Sequence, residues 1–142
     1  MTKRSLLFDA SSIFALAKEF RGRAVDVLLE GSTISLVRYE LGNAVWRECF
    51  LLKRITQDEA EKLLQTMFAI LHAMDMAVLE DEDDGNKVLR EACNLGITYY
   101  DAAYVFEAIK SDRVLVTEDK KLAKAAEKTG LKTLPTNALS KQ

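Results

Sequence analysis

The side chains best equipped for chemistry are acids placed at the ends of predicted elements. Asp9 directly follows the apolar run Leu6-Leu7-Phe8, and Asp119 stands two residues beyond Val114-Leu115-Val116-Thr117. Glu40 falls in the first turns of the helix after the second apolar run. Asp101 is the third residue after Thr98, a candidate helix cap. In an open parallel sheet the ligand crevice lies outside the carboxyl ends of the strands, so acids from four distant segments can meet there. Taken singly, Asp9 and Asp119 are ordinary N-cap residues, and a first-turn acid gains about 0.3–1 kcal/mol from the helix dipole. Taken together, carboxylates in one crevice repel one another, and burial raises that cost unless positive charge offsets it. No Lys or Arg occupies those four positions. A divalent cation is the economical solution, and oxygen donors suit a hard ion such as Mg²⁺ or Mn²⁺.

The remaining inventory narrows the chemistry further. Among 142 residues there is one histidine, His72, and two cysteines, Cys49 and Cys93. A lone histidine argues against a zinc site or a Ser/His/Asp triad assembled from several histidines. His72 lies on a long apolar helix and reads as structural; the cysteines read as reduced, small core residues. A net charge of −2 gives no strongly basic surface, so any phosphate contact must come from local groups. Lys120, Lys121 and Lys124 cluster beside Asp119, and Arg38 and Arg47 flank the Glu40 helix. The simplest reading of each is solvated surface. Tyr99, Tyr100 and Tyr104 can stack on unpaired bases, although helical spacing favours the core. Trp46 and Phe50 read as core or dimer contacts. No apolar stretch is long enough to span a membrane, and the run after Met1–Arg4 stops at Asp9, too short for a secretory signal. The expectation is a single cytoplasmic domain with its core over about residues 4–135.

Short apolar runs and amphipathic stripes position these residues. Strands are expected at 4–8, 33–36, 76–79, 113–117 and 132–134. Helices are expected over 10–18, over 24–29 with Gly31 as its cap, and over 37–52. Thr56 and Glu59 form a capping box for a helix striped by Ala60, Leu63, Leu64, Met67, Ile70, Leu71 and Met74. The acidic run 80–84 reads as a solvated helix start, before Val88, Leu89, Ala92 and Cys93 line a helix closed by Gly96. Thr98 opens a helix carrying Ala102, Val105, Phe106 and Ile109; the helix over 119–128 ends at Gly130, and the tail after Pro135 is expected to fray. Strands joined only by helices must be mostly parallel, with helices on both faces. The fold class is therefore a three-layer α/β/α domain.

The blocks Leu6-Leu7-Phe8-Asp9-Ala10-Ser11-Ser12, Tyr39-Glu40-Leu41-Gly42-Asn43-Ala44, Tyr99-Tyr100-Asp101-Ala102-Ala103-Tyr104 and Leu115-Val116-Thr117-Glu118-Asp119-Lys120-Lys121-Leu122 resemble the four signature blocks of PIN domains. The small size most resembles the VapC ribonuclease toxins of type II toxin–antitoxin pairs, and the likeness spans 6 to about 134. It implies a five-stranded parallel sheet of order 3-2-1-4-5, an endoribonuclease dependent on Mg²⁺ or Mn²⁺, and usually a homodimer. By position, Asp9 and Asp101 would be the main metal ligands. Glu40 would ligate the metal or hold and deprotonate its water, and Asp119 would complete the cluster directly or through a water. Ser11 and Thr117 stand where the family often has hydroxyls that orient a carboxylate or contact a phosphate. Asn43 stands where it often has an amide, on the Glu40 face at i+3. A toxin of this kind implies a small antitoxin, for which the family usually builds a groove from the helices spanning 10–29 and 37–71.

Other carboxylate chemistries fit less well. A phosphatase of the haloacid dehalogenase type needs a second Asp where Ser11 stands. A response-regulator receiver would leave Asp101 and Asp119 unexplained. A PIN-like module that binds RNA or a partner without cutting is the non-enzymatic alternative, opposed by the intact set of acids.

Overall fold

The computed structural model describes residues 5–18 and 22–139. Its strands are β1 (Leu6–Phe8), β2 (Ser32–Ile34), β3 (Asp75–Ala77), β4 (Val114–Val116) and β5 (Thr133–Leu134). They form one sheet in the order β3-β2-β1-β4-β5, and every neighbouring pair is parallel. Phe8 pairs with Val116, Val116 with Leu134, and Ile34 with Ala77, so the carboxyl ends of the strands lie at one edge.

The helices are α1 (Ala10–Ala17), α2 (Arg23–Leu29), α3 (Val37–Trp46), α4 (Gln57–Ala73), α5 (Glu82–Leu95), α6 (Tyr99–Lys110) and α7 (Lys120–Glu127). Side chains on a strand alternate between faces, so Phe8 and Leu7 point to opposite layers. Phe8 and Val116 pack with Ile13 of α1, Leu28 of α2, Val37 and Leu41 of α3, and Met67 and Leu71 of α4. Leu7 and Leu115 pack on the other side with Tyr104 and Val105 of α6 and Leu122 and Ala126 of α7. Burial on both faces explains why β1 and β4 read as continuous apolar runs rather than alternating ones. The α/β/α layering and the 3-2-1-4-5 order expected from the sequence are thereby observed.

Local chemistry sets the element ends. The Thr56 hydroxyl accepts from the Glu59 amide at 3.1 Å while the Glu59 carboxylate accepts from the Thr56 amide at 2.9 Å, a complete capping box. Gly96 closes α5 in the left-handed region at φ 67°. Gly31 does not cap α2, which ends on Glu30 in the right-handed region. Gly31 is small for a different reason: a Cβ there would stand 2.4 Å from Cε2 of Phe8, in the core.

Several expected boundaries shift. Arg4 lies outside the described residues. β2 begins at Ser32 and stops at Ile34 rather than Leu36, because Leu36 already has the right-handed backbone that opens α3. β3 runs Asp75–Ala77 rather than 76–79; with β2 ended, Val78 and Leu79 have no strand to pair with and are exposed. The helix expected over 37–52 is α only as far as Trp46, then widens into a single π-helical turn, Arg47–Leu51. That turn carries Trp46 and Phe50 outward, where their rings stack at 5.6 Å on the surface rather than in the core. Leu89, Ile109 and Cys93 are likewise exposed rather than core, and Cys49 is half-buried. His72 is exposed, with its ring against the edge of Phe68. Beyond Pro135 the chain forms a 3₁₀ turn, Thr136–Ala138, and Leu139 packs against the first core layer instead of fraying. Among the described residues no helix is long and apolar enough to cross a membrane.

Candidate active site

Asp9 is the first residue after β1 and the N-cap of α1. A cap needs a side-chain oxygen near the free amides of the first turn, and here Oδ1 accepts from the Ser12 amide at 2.9 Å and from the Ser11 hydroxyl at 2.8 Å. Oδ2 accepts from the Thr117 hydroxyl, which the Phe8–Val116 register brings across from the end of β4. The Ser12 hydroxyl donates to the Asp9 carbonyl at 2.9 Å. Each hydroxyl also accepts from a backbone amide: Ser11 from Glu118 at 3.0 Å, Thr117 from Asp119 at 3.0 Å. With both hydroxyl protons committed to Asp9, the 3.3 Å contact between Ser11 and Thr117 is packing, and the arrangement locks β1 to the β4–α7 loop. Asp9 is only 4% exposed, and burial raises its carboxyl above the usual range against the opposing pull of these hydrogen bonds.

Glu40 is a first-turn acid of α3. Its Oε1 accepts a 2.6 Å hydrogen bond from the hydroxyl of Tyr104, which is 1% exposed on α6. Burial is the main reason the Glu40 carboxyl is raised; Tyr104 opposes that rise, and the charges of Asp101 and Asp9 add to it. Tyr104 is itself pushed far above the usual phenol range, first by burial and then by Glu40, so it remains a donor. Asp101, in the first turn of α6, is half-buried; its amide donates to the Thr98 hydroxyl at 3.1 Å. Its carboxyl is raised by burial, then by Asp119 and by Asp9, while Thr98 and the Lys121 ammonium lower it. Asp119 is the exposed N-cap of α7, with Oδ1 accepting from the amides of Lys121 at 2.9 Å and Leu122 at 3.1 Å.

Glu40 is thus within electrostatic reach of Asp101 and Asp9, and Asp101 of Asp9 and Asp119, which links the four acids named from the sequence at the carboxyl edge of β1 and β4. The supporting residues divide. Ser11 and Thr117 hold Asp9 directly, whereas Asn43, Arg47, Lys120 and Lys121 are exposed around the rim. Lys121 reaches Asp101 electrostatically, a counter-charge the strand-end positions alone did not reveal. Glu118 stands apart: its carboxylate accepts from the amide and hydroxyl of Thr136, fastening the C-terminal turn. Ser12 joins the site beyond the residues expected from the sequence, although position i+3 from an N-cap donates to the cap. So does Tyr104 as the partner of Glu40, although it shares the Asp101 face at i+3. Among the described residues no group of three or more His, Cys, Asp or Glu side chains stands close enough together to hold a metal ion. Carboxylate oxygens whose charge is disfavoured by burial, and at Glu40 and Asp101 also by neighbouring acids, nevertheless fit a hard divalent cation.

A parallel 3-2-1-4-5 sheet with acids gathered at its carboxyl edge defines a PIN-like domain. Relatives from Pyrobaculum aerophilum specify it further. The exonuclease VapC9 is 33% identical over 82% of this chain and 81% of its own length. The ribonuclease VapC3 is 33% identical over 83% of this chain and 92% of its own. The chain belongs to the VapC family. The solved structure of PAE2754 from the same organism is 31% identical, covers 98% of both chains and superposes with a TM-score of 0.77. FitAcB from Neisseria gonorrhoeae, at 14% identity, 91% of this chain, 96% of its own and a TM-score of 0.59, shares the fold. No family model matches the chain.

Proposed function

We propose that the chain is a metal-dependent ribonuclease, hydrolysing RNA phosphodiester bonds as the toxin of a toxin–antitoxin pair. The observation that carries the reading is the gathering of Asp9, Glu40, Asp101 and Asp119 at one edge of the sheet, with Asp9 and Asp101 each raising the carboxyl of Glu40. The names of the curated relatives, an exonuclease and a ribonuclease, agree with it. Asp9, Asp101, Glu40 and Asp119 would hold Mg²⁺ or Mn²⁺, which when bound acidifies water and offsets charge on the phosphate oxygens.

The chain's own groups have distinct tasks. Ser11, Ser12 and Thr117 fix both oxygens of Asp9 before substrate arrives. Tyr104 holds Oε1 of Glu40 and leaves Oε2 for the attacking water. Lys120 and Lys121 at the start of α7 offer cations to the phosphodiester beside Asp119. The bond formed joins the water oxygen to phosphorus and the bond broken is P–O3′, leaving a 5′-phosphate and a 3′-hydroxyl. Because such an activity threatens its own cell, a cytoplasmic small-protein inhibitor belongs with this reading, and the whole chain acts as one domain, paired as a homodimer.

The test is incubation of purified protein with single-stranded RNA in Mg²⁺, Mn²⁺ or EDTA, with mapping of the product ends. Cleavage that needs metal, leaves 5′-phosphates and disappears in Asp9→Asn is the expected result. Equal cleavage by wild type and Asp9→Asn would defeat the proposal.

A further inference from the structure

The side of α3 that carries Glu40 also carries a cleft, of whose lining Glu40 is the one member of the acidic cluster. Leu36, Tyr39, Glu40, Asn43, Ala44 and Arg47 recur at helical spacing and so occupy one face. That face lines an open cleft of ≈ 630 Å³, to which Ala10 and Tyr100 also contribute. The volume lies within the 300–1,000 Å³ usual for small-ligand sites. Glu40 belongs both to this cleft and to the acidic cluster, so the cleft adjoins the cluster. Arg47 lies seven residues beyond Glu40, about 10 Å along the helix axis.

The lining has a definite chemistry. Tyr39 is 81% exposed and Tyr100 59% exposed, so neither ring is there to build the core. Asn43 is exposed and offers an amide with two donors and an acceptor. Arg47 is exposed, and among the described residues no carboxylate pairs with it. Arg47 also opens the π-helical turn, a rare geometry frequent at functional sites. Aromatic faces, a planar amide and a free guanidinium beside a phosphodiester-cutting centre match an unpaired nucleobase and its own phosphate. An apolar peptide would instead find its match on the neighbouring face, where Trp46 and Phe50 stack.

We infer that this cleft is a nucleobase subsite, in which Tyr39 and Tyr100 stack on the base next to the scissile phosphodiester while Asn43 and Arg47 contact its edge and backbone. The inference rests on the ribonuclease reading and adds a base-binding pocket to it. Its consequence is that an unpaired base at one position contributes to binding, and that cleavage is sensitive to the identity of that base.

The experiment uses short single-stranded RNAs, each with one abasic position moved stepwise along the strand, read by cleavage kinetics and by anisotropy binding in EDTA. Wild type is expected to lose on the order of tenfold in KM and in affinity at one abasic position. Tyr100→Ala and Tyr39→Ala should weaken the intact RNA by a similar factor and show no further loss with the abasic one. Tyr100→Phe should restore the discrimination by restoring the ring, and Leu89→Ala, on an exposed part of α5, should behave as wild type. If wild type cleaves and binds intact and abasic strands equally, the subsite is refuted while the nuclease stands. If wild type does not cleave but binding still discriminates at one position through Tyr100, the subsite stands and the nuclease reading fails. Neither cleavage nor RNA binding refutes both.

Discussion

Two regions of the chain are rich in acid, and only one has the makings of a reaction centre. The run 80–84 packs five carboxylates into consecutive positions, more densely than anywhere else in the sequence. Asp81 caps α5 by accepting from the Asp83 amide at 2.7 Å, and the following three acids lie in the helix's first turn. Lys87 pairs with Asp83 at 3.3 Å and Lys110 with Asp84 at 2.9 Å. Solvent, the helix dipole and two lysines thus absorb the charge. Asp9, Glu40, Asp101 and Asp119 come instead from positions separated by up to 110 residues of sequence, and three of them have carboxyls raised primarily by burial. Acid density along the chain therefore says little about chemistry; convergence with too little counter-charge says much.

The largest test of that contrast neutralises one acid from each region. Asp101→Asn should lower metal-dependent RNA cleavage by on the order of a hundredfold or more, the several kcal/mol expected of a charge that holds a catalytic ion. Asp83→Asn should leave the rate as in wild type. A comparable loss in both variants would mean that the two acidic regions do not differ in kind. Metal binding supplies the next test, read by thermal unfolding. A cation that binds only the folded state adds about 2.7 kcal/mol at one hundred times its Kd. Mn²⁺ should therefore raise Tm by several degrees in wild type and Asp83→Asn, and by much less in Asp101→Asn. An equal rise in all three proteins would place the ion outside the cluster.

The unequal legibility of these regions has a physical basis. β1 and β4 were readable because a strand buried on both faces must be apolar throughout, and Asp9 was readable because charge ends such a run. The capping box at Thr56 was readable because its partners lie three residues apart. The bond from Tyr104 to Glu40 is not legible in the sequence, because it joins residues 64 apart and only the packing of α6 against the sheet brings them together. Strand ends were misplaced where apolar residues continue past the last pairing partner, as at Leu36, Val78 and Leu79. The π-helical turn escaped because Val37, Leu41, Val45 and Cys49 keep a regular four-residue spacing that does not register a local widening. A glycine after a helix reads as a cap, whereas the role of Gly31 is space for the Phe8 ring, a contact across the sheet that sequence position does not show.

The smallest expected effects have opposite signs, and that makes them diagnostic. In metal-free protein the Asp101 carboxyl is raised by burial and by its acidic neighbours, so its ionised form is disfavoured in the fold. A raised carboxyl subtracts stability above its folded pKa, and the penalty disappears as pH falls below its unfolded value. Asp101→Asn should therefore raise Tm at pH 7–8 by on the order of a degree or two, with no gain left in acid. Asp84→Asn should do the reverse. The Lys110 ammonium is raised by its hydrogen bond to Asp84 and then by that residue's charge, and both benefits are lost in the variant. A raised lysine contributes stability below its unfolded pKa and loses it as pH rises through the folded value. The variant's deficit should be small at neutral pH, shrink in high salt because the lysine is exposed, and vanish in strong alkali. Matched curves of Tm against pH for the two variants measure the comparison directly. Stabilisation by Asp101→Asn that persists into acid would trace its gain to packing rather than to relief of crowded charge.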